Sequence, residues 1–325
     1  MKKLVIPFLL FSSALSAQYA PAVGFPGTTA MSKDSSAFVA WATGSRIQRG
    51  LQDISNASLG YANVGDSTAV IGMAGATGVV SLGDGGNAVV RFAHPIINGP
   101  SWDFAVFENS FNDTFLELAF VEVSSDGTHF YRFPASSLTD TSSQTGSFDT
   151  TFATKINNLA GKYRALYGTP FDLAELSGIA GLDINNIHYV KIVDVVGSIL
   201  PQYASYDTAG RAVNDPWPTG FGSGGFDLDA VGVIHQNPLA GIDEWSVAEG
   251  FEMYPNPCTA NERLVVKLNN EQEQIEQLII YSAQGAKVLE GASATADVSA
   301  LGKGIYLLEV VSTEQIIYRK KLIIR

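Results

Sequence analysis

Short runs of apolar and β-branched residues, each closed off by Gly, Asp, Asn or Pro, recur along the chain, and this punctuation constrains the fold more than any other feature. Ala88 to Phe92, Phe104 to Phe107, Glu117 to Val123, His129 to Phe133, Ile187 to Val196 and Phe226 to Ile234 have the length and composition of β-strands. Ser124-Ser125-Asp126-Gly127 stands between two of them as a hairpin signal. One short helix is expected at Phe171 to Leu176, with Thr169 as its cap, Pro170 at the first helical position and Asp172 near the positive end. Thirty-two glycines, with only 16% charged residues, suit strands and turns rather than a coiled coil or a disordered chain. There is no fixed-period repeat, which argues against a propeller or solenoid. The expectation for residues 18–236 is an all-β, jelly-roll-like sandwich with a short helical insertion.

At 325 residues the chain has room for two domains at roughly 150 residues each. Met1-Lys2-Lys3, the apolar run Leu4 to Phe11 and the small residues up to Ala17 have the order of a secretory signal peptide, so residues 1–17 are expected to be removed. No later stretch reaches the roughly 18 apolar residues a membrane-spanning helix requires. Residues 18–249 hold 10 Lys/Arg against 23 Asp/Glu, whereas residues 250–325 hold 8 against 9. That shift places a boundary near 250, with residues 237–249 as a linker. The overall charge of −12 argues against nucleic acid as a partner and favours cations. A single cysteine, Cys258, excludes an internal disulfide and a cysteine zinc site.

In the tail, Arg263 to Leu268, Gln277 to Tyr281, Ile305 to Val311 and Gln315 to Ile324 read as strands of a small immunoglobulin-like sandwich. Pro255 and Pro257 supply an extended lead without N–H donors, and Gly304 a tight turn. Pro255-Asn256-Pro257, Gly304 with Tyr306, and the closing Lys320-Lys321 run resemble, in order and spacing, the C-terminal sorting domains (type A) of the Bacteroidetes type IX secretion system. The resemblance implies passage across the outer membrane with the secretion machinery and its sortase as partners, and a cell-surface or secreted destination. Cys258 stands where such domains often carry a small or apolar residue, and is read as incidental.

Enzyme templates mostly fail in the central region. There is no G-x-S-x-G, H-E-x-x-H or P-loop, and the four histidines form no local ligand pair. Gly220 to Gly225 precedes a strand rather than opening a helix, so it reads as a flexible loop and not as a dinucleotide site. Asp227 and Asp229 share a face if the strand begins before them, and two like charges there call for compensation. Calcium, with Glu108 and Asn109 as further oxygen ligands, would supply it; solvated aspartates at the strand entrance are the plainer alternative. Asp103 and Glu108 lie at opposite ends of one strand and cannot share an ion.

For organic ligands, Trp217 and Phe221 lie on a Pro-stiffened loop that Trp102, Tyr163 and Tyr167 could join as a stacking surface, although a Trp between prolines also suits a plug. Phe104 to Asn109, Phe120 to Gly127, Gly168 to Ala174 and Gly224 to Gly232 resemble an uncharacterised family of bacterial cell-surface proteins, some associated with receptors for cobalamin-type nutrients. The expected outline is galactose-binding-like. The expected function is binding of a glycan, surface polymer or small nutrient, with structural calcium. The alternatives are capture of a cobalamin-type nutrient and a carbohydrate-active hydrolase using two carboxylates from Glu108, Glu117, Glu122, Asp227 and Asp229.

Overall fold

The computed structural model describes residues 19–237, 251–259, 262–269, 274–282, 286–313 and 317–325. The expected signal peptide therefore lies outside the described residues, as does the expected linker apart from Asn237. The chain divides into two compact units, Met1–Ala240 and Gly241–Arg325.

Thirteen strands build the first unit: β1 (Met31–Ser32), β2 (Ala40–Trp41), β3 (Gly44–Gln48), β4 (Val80–Ser81), β5 (Asn87–Ile96), β6 (Phe104–Glu108), β7 (Ala119–Ser124), β8 (Tyr131–Arg132), β9 (Ser136–Ser137), β10 (Ile156–Asn157), β11 (Tyr167–Phe171), β12 (Ile187–Asp194) and β13 (Asp227–Val233). They form one sheet in the order β1-β11-β6-β13-β2, with β4 also on β13, a second in the order β3-β5-β12-β7-β8, and the pair β10-β9. The pairings within both sheets are antiparallel. Phe104, Val106, Phe171, Val231 and Val233 of the first sheet share one core with Val90, Phe92, Val121, Val123, Val190 and Ile192 of the second. The all-β sandwich expected from the punctuation is the observed fold.

Strands β6 and β7 are buried along their whole length, so both of their faces are covered. That is why Phe104 to Phe107 reads as an unbroken apolar run rather than an alternating one. The outer side of β6 packs Ala105 and Phe107 with Ala230, Phe38 and Trp41. The outer side of β7 packs Phe120 under Leu159, Tyr163 and Val213, which come from long connections.

The expected helix is a single 3-10 turn, Leu173–Leu176. Its cap is Asp172, whose Oδ1 accepts from the Ala174 N–H at 2.9 Å, and not Thr169. Thr169 and Pro170 instead belong to β11, opposite Val106 and Ala105. Pro170 fits a strand residue as well as a first helical position, and the local signal could not separate the two.

In the tail, β14 (Phe251–Tyr254), β15 (Arg263–Leu268) and β18 (Thr295–Asp297) form one sheet, and β17 (Lys287–Gly291), β16 (Ile275–Ser282), β19 (Gly304–Ser312) and β20 (Ile317–Ile324) the other. Val266 and Leu268 meet Leu278, Ile280, Leu308 and Leu322 in the core between them. Cys258 is fully buried in that core, so it is a packing residue rather than an incidental one. The Asn256 side chain donates to the Lys321 carbonyl at 2.9 Å and accepts from the Ile323 N–H at 2.9 Å, fastening the proline-flanked lead to the final strand. Gly304 opens β19 opposite Ile324, the Tyr306 hydroxyl donates to the Gly302 carbonyl, and Lys320 lies over the Phe251 ring.

Candidate functional site

Antiparallel pairing collects carboxylates at one end of the first sandwich. Glu108 ends β6 opposite Leu228, so Asp227 arrives beside it at the start of β13. Asp194 ends β12 opposite Ala119 at the start of β7, and Glu117 leads into that same strand. Asp84 precedes β5, whose first residue pairs with Val193. Asp215 is brought to this end by its Oδ2, which accepts from the Leu118 N–H at 2.9 Å.

Glycines make room for this arrangement. Gly161 has φ +80°, and a Cβ there would meet the Glu117 carbonyl oxygen at 1.8 Å. Gly225, at φ +73°, lets the chain wrap close around Asp194, whose Oδ1 accepts from the Phe226 N–H at 2.7 Å. Within the 220–225 loop, Gly225 thus has a structural task, since its positive φ brings the chain against Asp194.

Glu108, Glu117 and Asp227 line a cavity of about 160 Å³ with Phe111, Phe115, Phe148 and Phe221. The four rings form a row: Phe111 on Phe115 at 4.5 Å, Phe115 on Phe148 at 5.9 Å and Phe148 on Phe221 at 5.9 Å, with interplanar angles of 11° to 24°. Phe115 is buried at the root of the row, whereas Phe111 and Phe148 are 67% and 71% exposed.

The acids below the rings differ in how they are held. Glu108 Oε2 accepts from the Ser110 N–H at 2.7 Å, and Asp227 accepts from the Ser81 hydroxyl. Glu117 is only 7% exposed, and its carboxylate has no hydrogen-bond or ion-pair partner among the described residues. Burial, followed by repulsion from Glu117 and Asp227, holds Glu108 well above the usual carboxylate range, and burial, followed by repulsion from Asp227, Asp194 and Asp84, does the same to Glu117. Burial pushes Asp227 up to about 6, offset in part by the Ser81 hydrogen bond and the Arg49 charge. Burial likewise raises Asp194 and Asp215, and brings Asp84 to about 6. Arg49, through Asp227, is the basic group among the described residues whose charge reaches these acids.

The expected calcium ligands are only partly brought together. Glu108 and Asp227 share the cavity, and Asn109 also lines it. Asp229 is turned elsewhere: both of its oxygens accept from the Gly75 N–H, at 2.9 and 3.0 Å, and Lys33 is its nearby charge. The β-bulge between Leu228 and Ala230 breaks the period-two alternation that would put Asp227 and Asp229 on one face. No group of three or more His, Cys, Asp or Glu among the described residues is arranged to hold a metal ion.

The expected aromatic surface is also redistributed. Tyr163 is buried, its hydroxyl 2.7 Å from that of Thr29, and Trp217 is buried with its indole N–H donating to Asp84. Neither presents a ring to a ligand. Tyr167 is half-buried in β11 under Arg164, and Trp102 is half-buried beside Asp103 at the opposite end of β6. Phe221 alone of the five joins the site. Phe111, Phe115 and Phe148 escape sequence reasoning because they come from irregular loops, where no periodicity marks them. Glu122, an expected hydrolase candidate, is instead paired with Arg132 at 2.7 Å and Lys191 at 3.3 Å.

Residues 252–325 match the family described as the secretion system C-terminal sorting domain. The second unit is therefore a type IX secretion sorting domain, as its motifs led us to expect. The protein is exported, to the cell surface or beyond it. Comparison with curated proteins gives no match. Among the described residues no helix is long and apolar enough to cross a membrane.

Proposed function

We propose that residues 19–237 are a ligand-binding module that the tail carries outside the cell, and that the ligand lies on the phenylalanine row over the carboxylate cavity. A glycan, a surface polymer or a small nutrient of cobalamin type offers the flat apolar face such a row suits. The observation that carries this reading is the exposure of Phe111 and Phe148 in a continuous stack beside an open polar cavity. Rings held against one another lose little freedom when a ligand covers them. The test is affinity electrophoresis of the whole chain in gels containing soluble glycans, with corrinoid binding followed by absorbance. Retardation or a spectral shift that Phe148→Ala abolishes supports the reading, and an unchanged response in that variant overturns it.

A hydrolase is the second reading, favoured by the presence of Glu108, Glu117 and Asp227 in one cavity. Glycoside hydrolysis uses one protonated acid and a second carboxylate about 5–10 Å away. Glu117 has the burial expected of such an acid. Release of reducing sugar that Glu117→Gln eliminates would support catalysis; binding without turnover would leave the module reading alone.

A further inference from the structure

We infer that the ligand of this cavity carries a positive charge, a primary ammonium group that enters between the Phe115–Phe148 rings and the Glu117 carboxylate. The inference rests on the binding reading above and names the chemistry of its ligand. Four observations lead to it.

First, Glu117 is buried, unpartnered among the described residues, and lines the cavity, so it is the group that a ligand entering there would meet. Its oxygens are not among the fully enclosed unpaired atoms of the described residues, so water reaches them through the cavity and a ligand's donor would replace that water. Second, its charged neighbours supply no donor. Glu108, Asp227, Asp194 and Asp84 face it as further acids, and Arg49 is turned to the carbonyls of Val64, Ser81 and Gly65. Third, four phenylalanine rings line the cavity and supply apolar wall for a ligand's aliphatic stem. Fourth, no group of three or more His, Cys, Asp or Glu among the described residues is arranged to hold a metal ion, and the test below decides between a metal and an organic cation.

An arriving ammonium group favours the ionised carboxylates. A proton held by Glu117 or Glu108 must then leave to solvent as the ion pair forms, and the ammonium keeps all of its own protons. Binding therefore couples to proton release, which a neutral ligand of the same shape does not produce.

The experiment is calorimetric titration of the full chain at pH 6.5 with glucosamine and glucose, and with cadaverine and 1,5-pentanediol. Each is repeated in two buffers of different ionisation enthalpy, so that proton release is read directly. The saccharide and aliphatic pairs distinguish the source of the amine. At least tenfold tighter binding of one amine than of its neutral counterpart, with release of a proton, supports the inference. Glu117→Gln should abolish the proton release and the preference for the amine. Because that substitution touches a buried site, circular dichroism checks its fold, and Phe148→Ala, at an exposed ring, should weaken the same amine independently. Equal affinity for amine and neutral ligand overturns the cationic reading while leaving the binding module intact. Absence of binding by all four probes in a chain that binds a glycan or corrinoid overturns it too, and absence of all binding overturns the module reading with it. Binding of calcium chloride alone at this cavity, displacing the amine, would assign the charge to a metal and overturn it as well.

Discussion

The indole nitrogen of Trp217 donates to Oδ2 of Asp84 across 3.1 Å, tying a buried ring to a carboxylate that burial raises to about 6. Trp217 should therefore report the protonation of Asp84. Its fluorescence is expected to titrate with a midpoint near 6, and Asp84→Asn, which keeps an oxygen acceptor for Trp217 and for the Ile54 N–H, should remove that transition. A flat emission profile between pH 4 and 8 in the parent chain would refute the assignment.

The same shift has a consequence for stability. Asp84 holds its proton in the folded state up to about pH 6 but gives it up near 3.8 when unfolded, so between those values the folded state binds more protons. Stability must then fall as pH rises through that window, by about 3 kcal/mol for this one group. Asp227 acts in the same sense. We expect the melting temperature of the first unit to drop by several degrees from pH 4.5 to pH 7, and Asp84→Asn to melt higher than the parent at pH 7. Differential scanning calorimetry at the two pH values decides it.

At the other end of β6, Asp103 accepts from the N–H groups of Gly99 and Leu173, each at 2.7 Å, and lies 2.7 Å from Nδ1 of His235. One buried carboxylate thus joins three separate segments. Asp103→Ala strands two N–H groups and should cost about 3 kcal/mol or more in chemical denaturation, whereas His235→Ala should cost about 1 kcal/mol. Similar losses for the two variants would show that the histidine holds the joint as much as the acid does, against this assignment.

Within the phenylalanine row, depth should separate stability from binding. Phe115→Ala removes a buried ring and is expected to cost about 3 kcal/mol. Phe148→Ala removes an exposed one and should change stability by less than about 0.5 kcal/mol while abolishing retention on the ligand. Urea titrations of both variants, run beside the binding assay, make the comparison.

The tail predicts its own phenotype. A chain lacking residues 251–325 should be recovered from the periplasm and be protected from protease added to intact cells. In the isolated question of tail stability, Asn256→Ala removes two hydrogen bonds to β20 and should cost about 1–2 kcal/mol. Surface digestion of the truncated form, or unaltered unfolding of the Asn256 variant, would count against these roles.

Much of this architecture is legible in the sequence because strand punctuation is a local property. The apolar run at Phe104 to Phe107, the aspartates at 227 and 229 and the tail motifs each announce themselves within a few residues. Even the opposed ends of β6 follow from strand length, since Glu108 stands five positions on from Asp103. The cavity was less accessible. Glu117 becomes part of it only through the pairing of Ala119 with Asp194 and Ala160, contacts between segments far apart in sequence. Asp229 leaves the expected set because of a bulge that no residue pattern signals. Trp217 looked like a stacking surface because its flanking prolines speak to backbone stiffness and are silent about which way a ring turns.

Strand β6 carries one half of each end of the sandwich, with Asp103 just before its start and Glu108 at its finish. Sliding it by one residue against β13 would turn its side chains to the opposite faces. Asp103 would then miss Leu173 and His235, and Glu108 would miss the cavity, in a single error. Correct assembly is thus checked twice by one alignment, a form of folding fidelity suited to a chain whose misaligned forms would reach the outside of the cell, beyond the reach of cytoplasmic repair.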